Sequence, residues 1–562
     1  MQQLVLMVPA LPLLSSVFTY ILFVNSKKHA ALLSVASLLV TFLISLLLLV
    51  TAVQGAESMS FSLGAMLGSN WGILQFDPLS TLMSLVISGI SLIVHIYSVR
   101  YMADEQAYTR FFVLLGLMTS ALLFMVTAGD LVTLLIAWHI IGVLLYFLLG
   151  HDTSSQSTQR YAMWTMITYR FGDIPLVLAA ALLYNTFDTW SLSEIFASLK
   201  QNPDVLTVGG FRVVELTGVL IALSAFARSA QFLLHSWLPY TMAGPTPVSA
   251  LMHAGIVNAG GFLVNRFAPL YMQTSDVLHL MFIVGLITAI VGSMLMLTQN
   301  DIKKALGYST MGQMGFMIME CGVGAFSLAV FHLIAHGLFK GTLFLGAGGV
   351  IGEARQSDGV PKDGLYTFVV ERKVKARKQP WLVMAALTLI IPLIILVTAH
   401  LLVAQDYFQK QGAVVLLFFG WVTGAQLVFA AYKMQTANPW RLFTMIISSF
   451  AVAIVGYVVI SHGFNVFLYP DPVSSELLYQ AAGINLTWFY IFVVLVTLFI
   501  VFGWLLVYYS ERTSSGIRLK NSIWLSFYAM LSRELFVVDV FAWISRRVLL
   551  LANKVNGWLR WV

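Results

Sequence analysis

Charge is what these 562 residues have least of. Asp, Glu, Lys and Arg together make up 10% of the sequence, where a soluble chain carries roughly a quarter. With 59% hydrophobic residues beside that, the composition reads as a polytopic membrane protein whose bulk is embedded in lipid. Cysteine is nearly missing as well. Cys321 stands alone, which excludes an intrachain disulfide and any multi-thiolate metal cluster; its plainest use is as a small core hydrophobe. Long polar loops are also lacking. The longest, at about 185–213, 351–380 and 461–485, are too short to fold as domains. Catalysis that needs a folded extramembrane site therefore falls to another subunit. No glycine-rich phosphate loop, haem pair, flavin motif or HExxH stretch occurs, so ATP hydrolysis and electron transfer have no support.

What is present is a succession of apolar runs near twenty residues long. They fall at about 2–24, 30–53, 78–99, 111–128, 131–150, 161–184, 214–237, 248–270, 278–298, 305–321, 325–350, 381–403, 412–434, 442–460 and 486–509. That predicts an all-α membrane protein of about 15–16 helices, with 523–560 ambiguous between a span and an amphipathic interfacial helix. The opening stretch MQQLVLMVPALPLL has no basic leader and no small-residue cleavage site, and reads as the first span rather than a signal peptide.

The formal charge of +7 is distributed topologically and gives no reason to expect a nucleic acid partner. With the N-terminus outside, the inside loops take Lys27, Lys28, Arg100, Arg110, Arg160, Lys303, Lys304, the cluster Arg372–Lys378, Lys433, Arg441, Arg512, Arg518 and Lys520. Little beyond Lys200, Arg212 and Lys410 falls outside. This is the positive-inside pattern of a bacterial inner-membrane protein, and the polybasic inside loop could also meet anionic lipid or a partner.

Two segments read as broken. The stretch ARSAQFLLHSWLPYTMAGPTPVSALMHAGIVN is interrupted by Pro239, Gly244, Pro245 and Pro247; five spans later, 381–403 carries Pro392 and ends near His400. Breaks at membrane depth survive only where protein or water covers the freed backbone. An offset of five spans reverses orientation, as an inverted repeat would. The expected organisation is N-terminal helices 1–3 over 1–110, a first repeat of spans 4–8 over 111–272, a second of spans 9–13 over 277–435, and C-terminal helices with the tail over 436–562.

Ionisable groups inside spans are costly and usually mark ion routes. His139 is the only such centre in its span, and Arg170 and Asp173 open the next one; each could equally be a buried structural partner. Arg228 keeps its proton, so it can act as a fixed charge but not a carrier. His235 follows it by seven residues, where it could simply cap the break. The strongest local pattern is FHLIAHGLFKGTLFLGAGG, where His332, His336 and Lys340 recur every four residues. That spacing stacks them on one helix face over about 12 Å. Imidazole titrates near neutrality, so a proton column is the favoured reading. The alternatives are a polar stripe holding the bundle together and, for the histidine pair, zinc. Ser309, Thr310 and Gln313 could hold a water chain or pack helices.

The stretches AGDLVTLLIAW, YRFGDIPLVLA, SAQFLLHSWLPYTMAGPTPVSALMHAG, QNDIKKALGYSTMGQMGFM and FHLIAHGLFKGTLFL together resemble the antiporter-like membrane subunits of respiratory complex I and Mrp-type cation antiporters. They cover about 125–350, some forty per cent of the chain. The resemblance implies an antiporter-like core of two inverted five-helix repeats, broken helices 7 and 12, and a midplane chain of buried charges. Asp173, His253, His332, His336 and Lys340 match the pattern. Three positions depart from it. His139 stands where the family has glutamate, Arg228 where it has lysine, and His400 falls where broken helix 12 has lysine. The chain also ends without the long lateral helix of the large complex I subunit.

That altered form resembles the membrane subunits of two-component inorganic carbon (CO2/bicarbonate) accumulation systems. It implies no cofactor in this chain and a soluble zinc-binding partner similar to β-carbonic anhydrases. Cation flux through this chain, of H+ rather than Na+ on the histidine–lysine column, would make hydration one-way in the partner. His139, Arg170, Asp173, Arg228, His253, His332, His336, Lys340 and His400 are the expected translocation residues. A redox-driven pump subunit and an Mrp-type Na+/H+ antiporter subunit are the rival readings.

Overall fold

Asp77 starts the first fully framed helix of the bundle by a reciprocal cap. Its side chain accepts from the Ser80 amide at 2.8 Å, the Ser80 hydroxyl accepts from the Asp77 amide at 2.7 Å, and Pro78 fills the first helical position. The computed structural model describes residues 2–356, 462–483 and 522–559 apart from positions 24, 56, 67–69, 106, 207–208 and 300, together with scattered positions between. The expected spans at 381–403, 412–434, 442–460 and 486–509 lie wholly or mostly outside the described residues, as do Pro392, His400 and the basic cluster Arg372–Lys378.

The elements run α1 (Gln2–Phe23), α2 (Lys27–Val53), β1 (Met59–Ser62), α3 (Leu63–Met66), β2 (Ile73–Phe76), α4 (Pro78–Tyr101), α5 (Tyr108–Thr127), α6 (Leu131–Leu149), α7 (Gln156–Phe187), α8 (Leu192–Gln201) and α9 (Val213–Arg228). A 3-10 turn (Leu238–Ala243) follows, then α10 (Thr246–Leu251), a π turn (Met252–Ile256), α11 (Ala259–Arg266), α12 (Ala268–Tyr271), α13 (Ser275–Thr298), α14 (Ile302–Gly322) and α15 (Phe326–Gln356). The described C-terminal elements are α16 (Pro472–Ala482), α17 (Ser522–Ser532) and α18 (Val537–Leu559). Among the described residues nine helices are long and apolar enough to cross a membrane, as a multi-pass protein requires.

Among the described residues the all-α expectation holds but for one antiparallel hairpin, in which Met59 pairs with Phe76 and Ser62 with Ile73. Asp130 ties that hairpin to the bundle. It caps α6 through the Thr133 amide at 2.8 Å and accepts from the Gly72 and Ile73 amides at 3.0 and 2.7 Å. The hairpin marks one end of the bundle. At the other end Lys27 donates to the Ala103 carbonyl at 2.7 Å and Arg110 to the His151 carbonyl at 2.7 Å.

The centre of the bundle belongs to the α10–π–α11 segment. Its membrane-length window is 94% buried, against 28% for α13. α13 and α14 meet along a glycine seam: a Cβ on Gly285 would lie 2.5 Å from the Met319 amide nitrogen, and one on Gly292 would lie 2.6 Å from that of Gly312. Small residues at such positions let helix backbones approach where lipid offers no hydrophobic drive to associate.

Candidate functional site

The break near the middle of the chain comes earlier than the prolines predict. α9 stops at Arg228, eleven residues before Pro239, so the expected span 214–237 is helical only in its first part. Ala230 and Leu233 take left-handed backbone, with φ of 46° and 72°, conformations that terminate a helix at a cost for side-chain-bearing residues. Neighbouring helices satisfy the freed groups. The Phe232 amide donates to the Thr288 hydroxyl at 2.9 Å, and the Ser229 hydroxyl donates to the Val257 carbonyl at 2.7 Å. These are the partners that irregular backbone needs at membrane depth.

Three helices converge at the end of α9. Asp173 of α7 takes the middle: its Oδ2 lies 3.0 Å from Arg170 Nη1 and 3.0 Å from Nδ1 of His139 on α6, and its Oδ1 lies 3.5 Å from Arg228 Nη2. Arg170 also packs on the His139 ring and donates from Nη2 to the His139 carbonyl at 3.2 Å. Arg228 has no exposed surface. Its guanidinium is clamped between the rings of Trp138, 4.5 Å away, and Tyr169, 4.2 Å away, and it donates to the Trp138 carbonyl. Flat, weakly hydrated guanidinium suits such a sandwich.

Gly172 makes this meeting possible. A Cβ there would stand 2.6 Å from the Ala227 Cβ, so any larger residue would push α7 away from α9. Two guanidinium groups face one carboxylate, leaving one surplus positive charge. The His139 side chain is 56% exposed, so the cluster runs from the bundle periphery to its core.

The second group lies along α15. His332 Nδ1 sits 3.1 Å from both carboxylate oxygens of Glu320, and its Nε2 lies 2.9 Å from the Gln313 side-chain carbonyl. The His336 ring follows at 6.5 Å, centroid to centroid, and is buried. Lys340 is buried too, its Nζ 3.5 Å from the Leu306 carbonyl. His253 stands beside this line on the π turn, stacked on Phe344 at 4.3 Å, with Nδ1 3.1 Å from the Thr310 hydroxyl. A π turn is a rare local widening, found frequently at functional sites. The glycine at 337 brings α15 against that turn: a Cβ there would meet the Ala254 carbonyl at 2.6 Å.

The described site residues thus form two groups. His139, Arg170, Asp173 and Arg228 meet in one, and His253, His332, His336 and Lys340 line the other; His400 lies outside the described residues. Thr310 and Gln313 serve the second group directly as hydrogen-bond partners. Sequence reasoning missed Glu320, a buried carboxylate that its depth eighteen residues into α14 could have flagged. It also missed Arg266, likewise inside a span, which pairs with Asp77 at 2.5 Å and donates to the Val126 carbonyl at 2.9 Å. Among the described residues no group of three or more His, Cys, Asp or Glu could hold a metal ion.

The family model described as NADH:quinone oxidoreductase/Mrp antiporter, transmembrane, matches residues 128–424, and that of the NADH-ubiquinone oxidoreductase (complex I) chain 5 N-terminus matches 61–112. A probable inorganic carbon transporter subunit, DabB1, of Halothiobacillus neapolitanus is 54% identical over 557 residues, 99% of either chain. NADH-quinone oxidoreductase subunit L of Rickettsia typhi is 36% identical over 360 residues, 62% of this chain and 54% of that one, so this chain matches about half of that subunit. Among solved structures, the Mrp complex from Dietzia sp. is similar with a TM-score of 0.55 at 21% identity, over 96% of this chain and 63% of that one. The archaeal membrane-bound sulfane sulfur reductase reaches a TM-score of 0.56 at 19% identity, over 86% and 97%. At those identities the structures speak for the fold alone. With the transmembrane model covering more than half of its length and a relative aligned from end to end, the chain belongs to the NADH:quinone oxidoreductase/Mrp antiporter family of membrane subunits.

Proposed function

We propose that this chain is the cation-conducting membrane subunit of a two-component inorganic carbon uptake system in a bacterial inner membrane. In this reading the N-terminus faces outward, the transported ion is the proton, and CO2 hydration to bicarbonate takes place in a soluble zinc-binding partner. The observation that carries the conducting role is the series His332, His336 and Lys340 along one face of α15, with Glu320 of α14 paired to His332 at one end and Glu320, His336 and Lys340 buried. Imidazole and amine groups can take up and release protons but offer no oxygen cage for Na+. The full-length likeness to the DabB1 subunit supports the inorganic carbon role, and the zinc chemistry belongs to the partner.

Each residue then has a task. The column on α15 moves the proton, and His253 links it toward the broken helix. Arg228 supplies a fixed positive potential that Asp173 balances, while Arg170 and His139 continue the cluster to the bundle periphery, with His400 as the flanking group of the second break. Lys340→Ala and His336→Ala should abolish growth at low CO2 while the protein still inserts and assembles with its partner. Wild-type growth from a well-expressed Lys340→Ala protein would refute the column. Copurification of a redox module in place of a zinc protein would refute the carbon role.

A further inference from the structure

The carboxy-terminal helix α18, to which the proposed conduction path assigns nothing, is fastened at its start and open along the rest. Between α17 and α18 the chain passes through Glu534, Leu535 and Phe536 with φ of 58°, 57° and 59°. Three consecutive non-glycine residues in left-handed backbone are unfavourable and persist only where surrounding contacts hold them. The contacts converge on Glu534, which is buried. Tyr240, in the 3-10 turn of the break, donates its hydroxyl to Glu534 Oε2 at 2.8 Å. Lys304 Nζ, in the first turn of α14, lies 3.5 Å from Oε1 and 4.4 Å from the Tyr240 ring centre. The Tyr240 ring stacks on that of Tyr161 at 4.9 Å, and Phe541 of α18 reaches Trp164 at 6.1 Å, ring centre to ring centre. Tyr161 and Trp164 stand near the start of α7, a helix of membrane-crossing length, so α18 leaves the bundle close to the level at which the chain enters the bilayer.

Past Phe541 the helix is uncovered. The described residues from Trp543 to Trp558 are all exposed, yet their pattern is not that of a helix in water. Val540, Leu551, Val555 and Trp558 fall within about 60° of one another around the axis at roughly 100° per residue, and all four are exposed. Arg547 and Lys554 border this apolar stripe, Arg546 stands farther round, and no acidic residue follows Asp539. An apolar stripe edged by basic side chains, with tryptophan beside it, is the make-up of a helix that lies in the plane of a membrane interface.

We propose that α18 lies on the bilayer surface beside the bundle, with its apolar stripe sunk among anionic lipids and its basic side chains on their phosphates, and that the Glu534 contacts tie this lipid-held helix to the broken helix. Basic charge with no acid to offset it calls for a negatively charged surface, and the level at which α18 leaves the bundle puts the lipid headgroups within its reach. The tie is direct. A shift of α18 along the membrane is passed through the Glu534 carboxylate to Tyr240, and so to the turn 238–243 that lies between the Arg228 cluster and the π turn. Anionic lipid thereby steadies the break. This inference is independent of which ion the chain conducts.

Hydrogen–deuterium exchange tests both halves, with the full chain reconstituted in vesicles of phosphatidylcholine alone or of phosphatidylcholine and phosphatidylglycerol in equal parts. Each basic side chain near an anionic surface favours the docked state by about fivefold, so the amides of 543–558 should exchange about tenfold or more slowly in the mixed vesicles. Arg546→Gln combined with Arg547→Gln should remove most of that difference. The turn 238–243 should also be better protected in the mixed vesicles. Tyr240→Phe keeps the stack on Tyr161 and loses only the donor to Glu534; it should make the turn indifferent to lipid while α18 stays docked. Equal exchange of 543–558 in the two vesicle types overturns the lipid contact, and so does protection that appears only when a partner subunit is bound. A docked α18 beside a turn that ignores the lipid in the wild-type chain overturns the tie.

Discussion

Replacing Asp173 by Asn keeps the shape of the side chain and removes the only carboxylate among the described residues that faces Arg228. At the observed 3.5 Å and an effective dielectric constant of about 20, the attraction between two unit charges is about 5 kcal/mol. Arg228 has no exposed surface and cannot shed its proton. Losing its counter-charge leaves it stranded, and breaking a buried pair in this way costs about 3–5 kcal/mol. Arg170 lies 3.0 Å from the other carboxylate oxygen and is 26% exposed, where Arg228 is fully buried. Arg228→Met takes the opposite course: it fills the clamp between Trp138 and Tyr169 with a thioether and leaves Asp173 paired to Arg170 and His139. That change should cost less, about 1–3 kcal/mol. The double variant should be less destabilised than the sum of the singles by about 2 kcal/mol. Reversible unfolding in detergent micelles, followed by far-ultraviolet circular dichroism, measures all four proteins. An Asp173→Asn protein as stable as wild type, or strict additivity in the cycle, would refute the claim that this carboxylate compensates the clamped guanidinium.

Two further expectations rest on backbone approach and on burial. Gly337→Ala should lift α15 from the π turn and separate the histidine column from His253, lowering proton flux, whereas Gly341→Ala, whose Cβ would meet the Ala254 Cβ at an ordinary 3.5 Å, should conduct normally; flux in proteoliposomes distinguishes them. His151, in the loop after α6, is held below its ordinary pKa by burial first and by Arg110 second, against weaker opposing pulls from Glu105 and Asp152. The folded loop therefore keeps the imidazole neutral, and an opened loop binds a proton once pH falls below about 6.5. Hydrogen-exchange protection of 150–155 should accordingly decline on acidification through that value, and His151→Asn should flatten the decline.

The helices were legible because lipid demands an apolar run wherever the chain crosses, and the α15 column was legible because every-fourth-residue spacing is local geometry. The meeting of His139, Asp173 and Arg228 was not. It depends on Gly172 letting α7 approach α9, and no periodicity in either segment reports that distance. The stop at Arg228 was invisible for a similar reason. Prolines advertise breaks, but the left-handed backbone at Ala230 and Leu233 comes without one, and the partners of the stretch, Thr288 for the Phe232 amide and Val257 for the Ser229 hydroxyl, lie elsewhere in the chain. Glu320 and Arg266 were open to notice as lone charges within apolar runs. Nothing local could have announced Glu534, whose partners lie more than two hundred residues away.

The ring clamp around Arg228 has an electrostatic consequence. A lysine in that place could switch itself off by giving up its proton, and the surrounding potential would rise and fall with each cycle. The guanidinium, wedged between an indole and a phenol, keeps its charge throughout. On the proposed conduction path, a passing cation would therefore meet the same standing barrier, which only a change at the carboxylate or imidazole beside it would lower.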